Sequence, residues 1–171
     1  LLPTYDRQAH IALRICGFPG TGDGLDDDYA PAIFRSQLAS LESALIQPFS
    51  VEIGAPETFT TAAYFSIRDG LDEIFRLRHS LGGDGPGEKD FRYVTHATFG
   101  VYGGRFPVAD VVQRMQLYPS ETTIRLDVHQ VTLFTYEASV INGPLTPACE
   151  FDLAHKTLRV LDAGIMDMLL K

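Results

Sequence analysis

The sequence predicts an α+β fold in a single domain covering residues 1–171. The chain has 171 residues, of which 45% are hydrophobic, and this is enough to bury a substantial core. Segments with the two-residue alternation of strands are interspersed with segments whose apolar residues recur at helical spacing. Each half of the chain also opens with a strand that carries a histidine and continues to a helix. The two halves are therefore expected to share one architecture in outline.

The first predicted strand spans residues 8–16. Its apolar side chains alternate with His10, Ala12 and Arg14, so these three residues should share one face. A Gly- and Asp-rich stretch follows, and its composition is typical of turns. Four apolar residues at roughly helical spacing then predict a helix, which Pro48 ends.

Two successive strands are predicted at residues 49–54 and 60–68, from their alternation and their β-branched and aromatic content. A helix follows, beginning at Asp69 or Gly70, and leads into a Gly-rich loop. The strand that opens the second half is predicted at residues 91–102.

The remaining elements complete the second half. Pro107 suits the first turn of a helix. Residues 122–136 predict one long strand whose alternation slips near His129, which indicates a bulge. A short strand at residues 149–153 and a weak helical pattern at residues 157–171 follow.

The charge of the chain limits the ligands it can hold. The net charge is −8 and the pI is near 5.0, whereas proteins that grip long nucleic acids usually carry a basic footprint. A phosphate site in this chain is therefore expected to be local, with a small nucleotide or the end of an RNA as its ligand. Long nucleic acid is not an expected partner.

Cysteine content and hydropathy bear on location and metal binding. Cys16 and Cys149 are the only cysteines, which excludes a four-cysteine zinc site and favours a reducing cytoplasm over a disulfide framework. No apolar run approaches the roughly 18 residues that a membrane span needs. The first residues show neither a basic region nor a cleavage site, so no signal peptide is expected.

The segments that point to chemistry are residues 10–13, with the sequence HIAL, and residues 96–99, with the sequence HATF. They are separated by 96 − 10 = 86 residues. Because side chains alternate along a strand, His96 and Thr98 should point the same way while their neighbours enter the core. One histidine on a strand is more often structural or exposed, so the functional interpretation depends on the two segments together.

Two histidines across a cleft suit phosphodiester chemistry without a metal. One neutral imidazole can activate water or a ribose hydroxyl, while the other, protonated, donates to the leaving oxygen. A hydroxyl such as that of Thr98, together with an arginine, would stabilise the negative charge on the non-bridging oxygens. His10 and His96 are therefore the candidate catalytic residues.

With these two segments, the chain resembles the two-histidine (2H) phosphoesterase superfamily, which includes 2′-5′ RNA ligase-like proteins and cyclic nucleotide phosphodiesterases. The hallmark of that superfamily is a pair of H-x-[ST]-φ motifs, and the resemblance extends over nearly the whole chain. It implies a bilobal fold, with two antiparallel sheets flanking a central cleft and helices outside. It also implies that His10 and His96 exchange acid and base roles, with Thr98 on the phosphate and no cofactor or metal.

The first motif departs from the superfamily pattern, because Ala12 stands where a Thr or Ser is usual. The missing hydroxyl would cost on the order of 1–3 kcal/mol if a phosphate oxygen were left unpaired. Arg14, on the same predicted face, is the candidate that would compensate by binding phosphate; the alternative is an ordinary exposed arginine. Tyr102 could stack on a base by the same parity argument or could simply pack at the strand end.

The resulting expectation is a metal-independent phosphoesterase that hydrolyses 2′,3′-cyclic phosphates or 2′-5′ linkages. Two alternatives stay open. The first is a nucleotide-binding module on the same fold that lost efficient catalysis through Ala12. The second is an unrelated metal-dependent hydrolase, which the sequence favours less because it offers no cluster of metal ligands.

Overall fold

The computed structural model describes residues 1–20, 26–85, 88, 92–118 and 124–171. It confirms the α+β class, since helices accompany two antiparallel sheets. In chain order the elements are β1 (Phe18–Pro19), β2 (Asp28–Tyr29), α1 (Pro31–Ser43), β3 (Phe49–Thr58), β4 (Ala62–Arg68), α2 (Glu73–Ser80), β5 (His96–Val101), α3 (Val108–Met115), β6 (Ile124–Val128), β7 (Gln130–Thr135), β8 (Thr146–Asp152), β9 (Thr157–Val160) and α4 (Ala163–Leu169).

The strands form one four-stranded and one three-stranded sheet. The four-stranded sheet has the order β5-β4-β3-β6 and the three-stranded sheet has the order β7-β8-β9, with antiparallel pairing throughout. The very short β1 and β2 pair in parallel beside them. No described helix is long and apolar enough to cross a membrane.

The predicted strand at residues 8–16 is wrong as a continuous element. Within the described residues, its only ladder contact is an isolated antiparallel bridge between Ile11 and Ala97. Side chains occupy the backbone groups that a ladder would use, because Tyr93 donates to the Ala12 carbonyl and Arg78 to the Leu13 carbonyl. The segment is therefore held mainly by side chains, which a hydrophobic pattern does not reveal.

The second half also differs from prediction in two places. The predicted long strand is broken at His129, as the slip in alternation indicated, but the break is a passage from one sheet to the other. The weak helical pattern at residues 157–171 divides into β9 and α4, with a turn between β8 and β9 that places Lys156 at φ 56°. Residues 91, 122 and 123 of the predicted strands lie outside the described residues.

Three groups of buried side chains form the core, and partly buried residues connect them. Leu38 and Leu158 pack against both groups that lie between the helices and the three-stranded sheet. The third group lies beneath the four-stranded sheet. It is joined to one of the other two by Leu13, Phe49 and Val128, which pack against both. The apolar contacts thus continue from one sheet to the other.

The two faces of the four-stranded sheet differ in character. One face packs Val51 and Ile67 against Ile74 of α2, and all three are at most 9% exposed. The opposite face carries half-buried or exposed polar side chains, which are Ser50, Glu52, Ser66, Arg68, Arg125 and Asp127. This polar face is where the candidate site lies.

Candidate active site

His96 begins β5 and faces away from the core. It lies opposite Ser66 of β4, and Thr98 lies opposite Tyr64. The intervening Ala97 packs against the buried group beneath the sheet, as the alternation of HATF predicts. His96 and Thr98 therefore share the polar face of the sheet.

The bridge between Ile11 and Ala97 places His10 on the same face. Both bridging residues pack into the core beneath the sheet, so their neighbours point the other way. If the antiparallel pairing of this bridge is continued by one residue on each side, His10 falls opposite Thr98 and Ala12 opposite His96. The two histidines are diagonal neighbours, a relation that puts Cα atoms about 7–8 Å apart in antiparallel sheets. We call the surface formed by His10, Tyr64, Ser66, His96 and Thr98 the histidine face.

Both imidazoles are anchored in the same way. His10 Nδ1 lies 2.8 Å from the carbonyl oxygen of Gln8, and His96 Nδ1 lies 2.7 Å from that of Val94. A carbonyl oxygen only accepts, so each Nδ1 carries a proton and donates. In the neutral ring, Nε2 then has a free lone pair. Each histidine can therefore take up a proton at Nε2, or release one from it once protonated.

Two aromatic rings hold His96 from the side. The rings of Phe59 and Tyr64 are stacked 4.1 Å apart, and the His96 ring meets them edge-on at 4.9 and 5.3 Å. The Tyr64 hydroxyl donates to Glu57 Oε2 at 3.0 Å. Burial, followed by the hydrogen bond and charge of Glu57, raises the pKa of Tyr64 to about 12. Tyr64 thus stays protonated near neutral pH and serves as a wall for His96.

Arg14, the sequence-based phosphate candidate, makes its described hydrogen bonds at the end of α2. Its Nη1 donates to the carbonyl oxygens of Leu81 at 3.0 Å and Gly83 at 3.4 Å. A cation there satisfies carbonyls that have no partner within the helix. Its Nε is buried and has no partner among the described residues. The phosphate role of Arg14 is still a prediction, and the structure adds a structural role.

Arg68 is a cation on this surface that sequence reasoning missed. It ends β4 two residues after Ser66, which lies opposite His96, so it projects from the same side of the sheet. Arg68 is exposed, and it makes no hydrogen bond or ion pair with the described residues, although Glu52 lies opposite it on β3. The signal was present in the alternation of residues 60–68. Using it required knowing that this strand pairs with the strand of His96.

Tyr102 does not lie on the histidine face. A register shift between Ala63 and Tyr64 inserts one residue into β5, so Gly100 pairs with Ala63, behind the face that Tyr64 occupies. Tyr102 follows this shifted parity, and its hydroxyl lies 2.7 Å from Thr58 Oγ1. Tyr102 therefore packs at the end of the strand, and the alternative that it stacks on a base from the histidine face is not supported.

The other histidines lie apart from this arrangement. His155 is exposed and contacts Asp152 at 3.1 Å. Within the part of the chain that the structure describes, no three His, Cys, Asp or Glu side chains are grouped closely enough to hold a metal ion.

Comparison with known families agrees with this geometry. Residues 3–139 match the 2′-5′ RNA ligase superfamily, a range that contains both histidine segments. The chain belongs to the 2′-5′ RNA ligase superfamily. Through it the chain is a member of the 2H phosphoesterases, as its two motifs predicted. No curated protein matches the chain.

Membership in the 2′-5′ RNA ligase superfamily covers most of the structure. The matched range ends between β7 and β8, so it includes the whole four-stranded sheet and every residue of the histidine face. The superfamily is one of phosphoesterases and ligases. The structure of the histidine face is the basis for a more specific proposal.

Proposed function

We propose that this 2′-5′ RNA ligase-like protein is a metal-independent phosphoesterase that hydrolyses 2′,3′-cyclic phosphates or 2′-5′ linkages in small nucleotides or RNA ends. The observation that carries the proposal is the matched anchoring of His10 and His96 on one face. Both rings hold Nδ1 on a backbone carbonyl and leave Nε2 for chemistry. Two equivalent imidazoles of this kind supply the base and the acid that phosphodiester hydrolysis requires.

The proposed reaction uses the two Nε2 atoms in turn. The neutral imidazole takes a proton from water, whose oxygen forms the new bond to phosphorus. The protonated imidazole gives its Nε2 proton to the leaving ribose oxygen as the bond between that oxygen and phosphorus breaks. The Thr98 hydroxyl, directly opposite His10 in register, donates to a non-bridging oxygen. The symmetry of the anchoring allows His10 and His96 to exchange these roles when the reaction runs in reverse.

Turnover of a nucleoside 2′,3′-cyclic phosphate in the presence of EDTA tests this function directly. A 2′-5′-linked dinucleotide and its 3′-5′-linked isomer should be assayed beside it, with the 3′-5′ isomer as the matched control. We expect turnover of at least one of the first two substrates, unchanged by the chelator. Loss of turnover with EDTA, restored by a divalent ion, would contradict the proposal and favour a metal-dependent hydrolase.

A nucleotide-binding module is the second candidate, and Ala12 is the observation that favours it. Ala12 lies opposite His96 in register and offers no hydroxyl to a phosphate. This candidate predicts binding of a nucleoside 3′-monophosphate without turnover of any cyclic substrate. Partial restoration of turnover by Ala12→Thr would then identify the missing hydroxyl as the cause.

Arg68 is proposed as the cation that binds the phosphate at the histidine face. Arg68→Ala is expected to raise KM for a cyclic phosphate roughly tenfold, since a hydrogen bond to a charged group contributes about 1.5–3 kcal/mol. Arg14→Ala is the matched comparison. It should leave KM within about twofold of the wild-type value and lower the urea midpoint, because the Gly83 carbonyl loses its Arg14 donor and the Leu81 carbonyl keeps only that from Gln37 Nε2. The reverse pattern would assign the phosphate to Arg14.

A further inference from the structure

A cleft of about 470 Å³ opens between the end of β3 and helix α3. From β3 it is lined by Ala55, Pro56, Glu57 and Thr58, and from α3 and the residues after it by Val112, Met115, Gln116 and Tyr118. This volume falls within the range of small-molecule sites, and the mixture of apolar walls with a few polar groups is typical of them. The mechanism above does not use this cleft.

The cleft adjoins the histidine face through Glu57. Glu57 pairs in register with Tyr64, which pairs in turn with Thr98, so all three project from the same side of the sheet. Glu57 is two strand spacings from β5, a separation of about 10 Å. A nucleotide whose phosphate lies between His10 and His96 can extend across Tyr64 toward the cleft.

The lining is suited to a base and unsuited to a phosphate. No lysine or arginine is among its described residues, and it carries the carboxylate of Glu57. Glu57 Oε2 accepts from Tyr64, while Oε1 has no partner among the described residues and is available as an acceptor. Gln116 adds a carboxamide that can donate. The polar groups therefore favour a ligand edge with donors for Glu57 and an acceptor for Gln116.

We propose that this cleft, which we call the β3–α3 cleft, binds the guanine base of the nucleotide substrate. This inference rests on the proposed function for the placement of the phosphate. Guanine is the base that offers two adjacent N–H donors beside a carbonyl acceptor on its Watson–Crick edge. Uracil flanks its single donor with two carbonyl oxygens, which a carboxylate repels. Glu57 is thereby a specificity-determining residue for the reaction.

The apolar walls complete the fit to a planar ring. Helix α3 buries none of its residues, although its apolar and polar side chains are segregated to opposite sides. Val112 is 38% exposed and Tyr118 is 65% exposed, and both line the cleft. A purine stacked on Tyr118 would cover apolar surface that α3 leaves in water, and base–aromatic stacking of this kind is common in nucleotide recognition.

Methionine methyl NMR reports on the β3–α3 cleft without requiring turnover. The chain has three methionines, of which Met115 lines the cleft whereas Met166 and Met168 lie on α4 and serve as internal controls. Titration with guanosine 3′-monophosphate should shift the Met115 methyl and leave the other two in place. Guanosine 3′-monophosphate should bind roughly tenfold more tightly than uridine 3′-monophosphate, as expected for hydrogen bonds to a charged group.

Two sets of variants test the contacts. Val112→Glu should lower the affinity for guanosine 3′-monophosphate at least about tenfold, because it places a second carboxylate in the cleft. Val108→Glu is the control: Val108 lies one turn away and is 70% exposed, so this variant should change the affinity by less than about twofold. Glu57→Gln retains an acceptor for the Tyr64 hydroxyl but removes the charge. It should reduce the guanine preference to about twofold.

The outcomes separate this inference from the proposed function. Movement of the histidine resonances with no shift at Met115, or an unchanged guanine preference in Glu57→Gln, overturns the base assignment and leaves the catalytic proposal intact. Absence of any binding also overturns it. A Met115 shift with guanine preference, in a protein that turns over no cyclic phosphate, supports the cleft and contradicts the catalytic proposal.

Discussion

Replacing His96 by alanine is expected to lower kcat for a nucleoside 2′,3′-cyclic phosphate between about 10² and 10⁴-fold, the usual contribution of a general acid or base. His10→Ala should have an effect of the same size, because both rings are anchored through Nδ1 and present Nε2. The double variant should lose little more than either single variant, since acid and base act in one step. KM should change far less than kcat in all three.

The pH dependence provides a second readout of the same variants. The wild-type rate should follow a bell-shaped profile, because one imidazole must be neutral and the other protonated. Each alanine variant should lose one limb, and the limb that is lost identifies the role of the missing ring. His79→Ala, an exposed residue on α2, is the matched control and should retain both rate and profile. Full activity in either catalytic variant would contradict the assignment.

Arg78→Met is expected to destabilise the fold by about 1.5–3 kcal/mol, because a buried charged donor of hydrogen bonds is removed. The Arg78 side chain is buried, with Asp84 and Glu88 as its ion-pair partners. It also donates to the Leu13 carbonyl and lies 4.1 Å above the Tyr93 ring. Methionine retains the apolar stem and removes the charge, so the loss reports on these polar contacts.

Arg76→Met on the same helix is the matched control for Arg78. Arg76 pairs with Glu73 at 2.6 Å on the surface and its side chain is 50% exposed, so its loss should cost less than about 1 kcal/mol. Urea unfolding followed by far-ultraviolet circular dichroism measures both variants, and the chain has no tryptophan to follow instead. Equal losses in the two variants would show that Arg78 does not hold the first histidine segment in the way its contacts indicate.

Much of the fold was predictable because strand and helix patterns are local. The α+β class, the strand of His96 and the break near His129 all follow from alternation within a few residues. The same alternation placed Thr98 beside His96 and the intervening Ala97 against the core. These predictions depend on backbone geometry that each segment carries by itself.

The features that the local pattern left wrong or undecided share a different cause, which is dependence on a distant partner. Residues 8–16 alternate like a strand, yet Tyr93 and Arg78 occupy the backbone carbonyls of Ala12 and Leu13. Tyr102 has the parity of His96 in the sequence, but the register shift opposite Ala63 moves it behind the sheet. In both cases the decisive contact lies across the fold and leaves no mark on the local pattern.

The sequence by itself determined which groups are available for chemistry: two histidines, the Thr98 hydroxyl, and the alanine that replaces its counterpart in the first motif. Only the tertiary structure decided where these groups meet. It brings His10 close to Thr98 through a single bridge, gives Arg14 hydrogen bonds at the end of α2, and leaves Arg68 on the same side of the sheet as His96. The physical reason is that alternation is a property of one strand, whereas register is a property of two strands that pair only after the chain has folded.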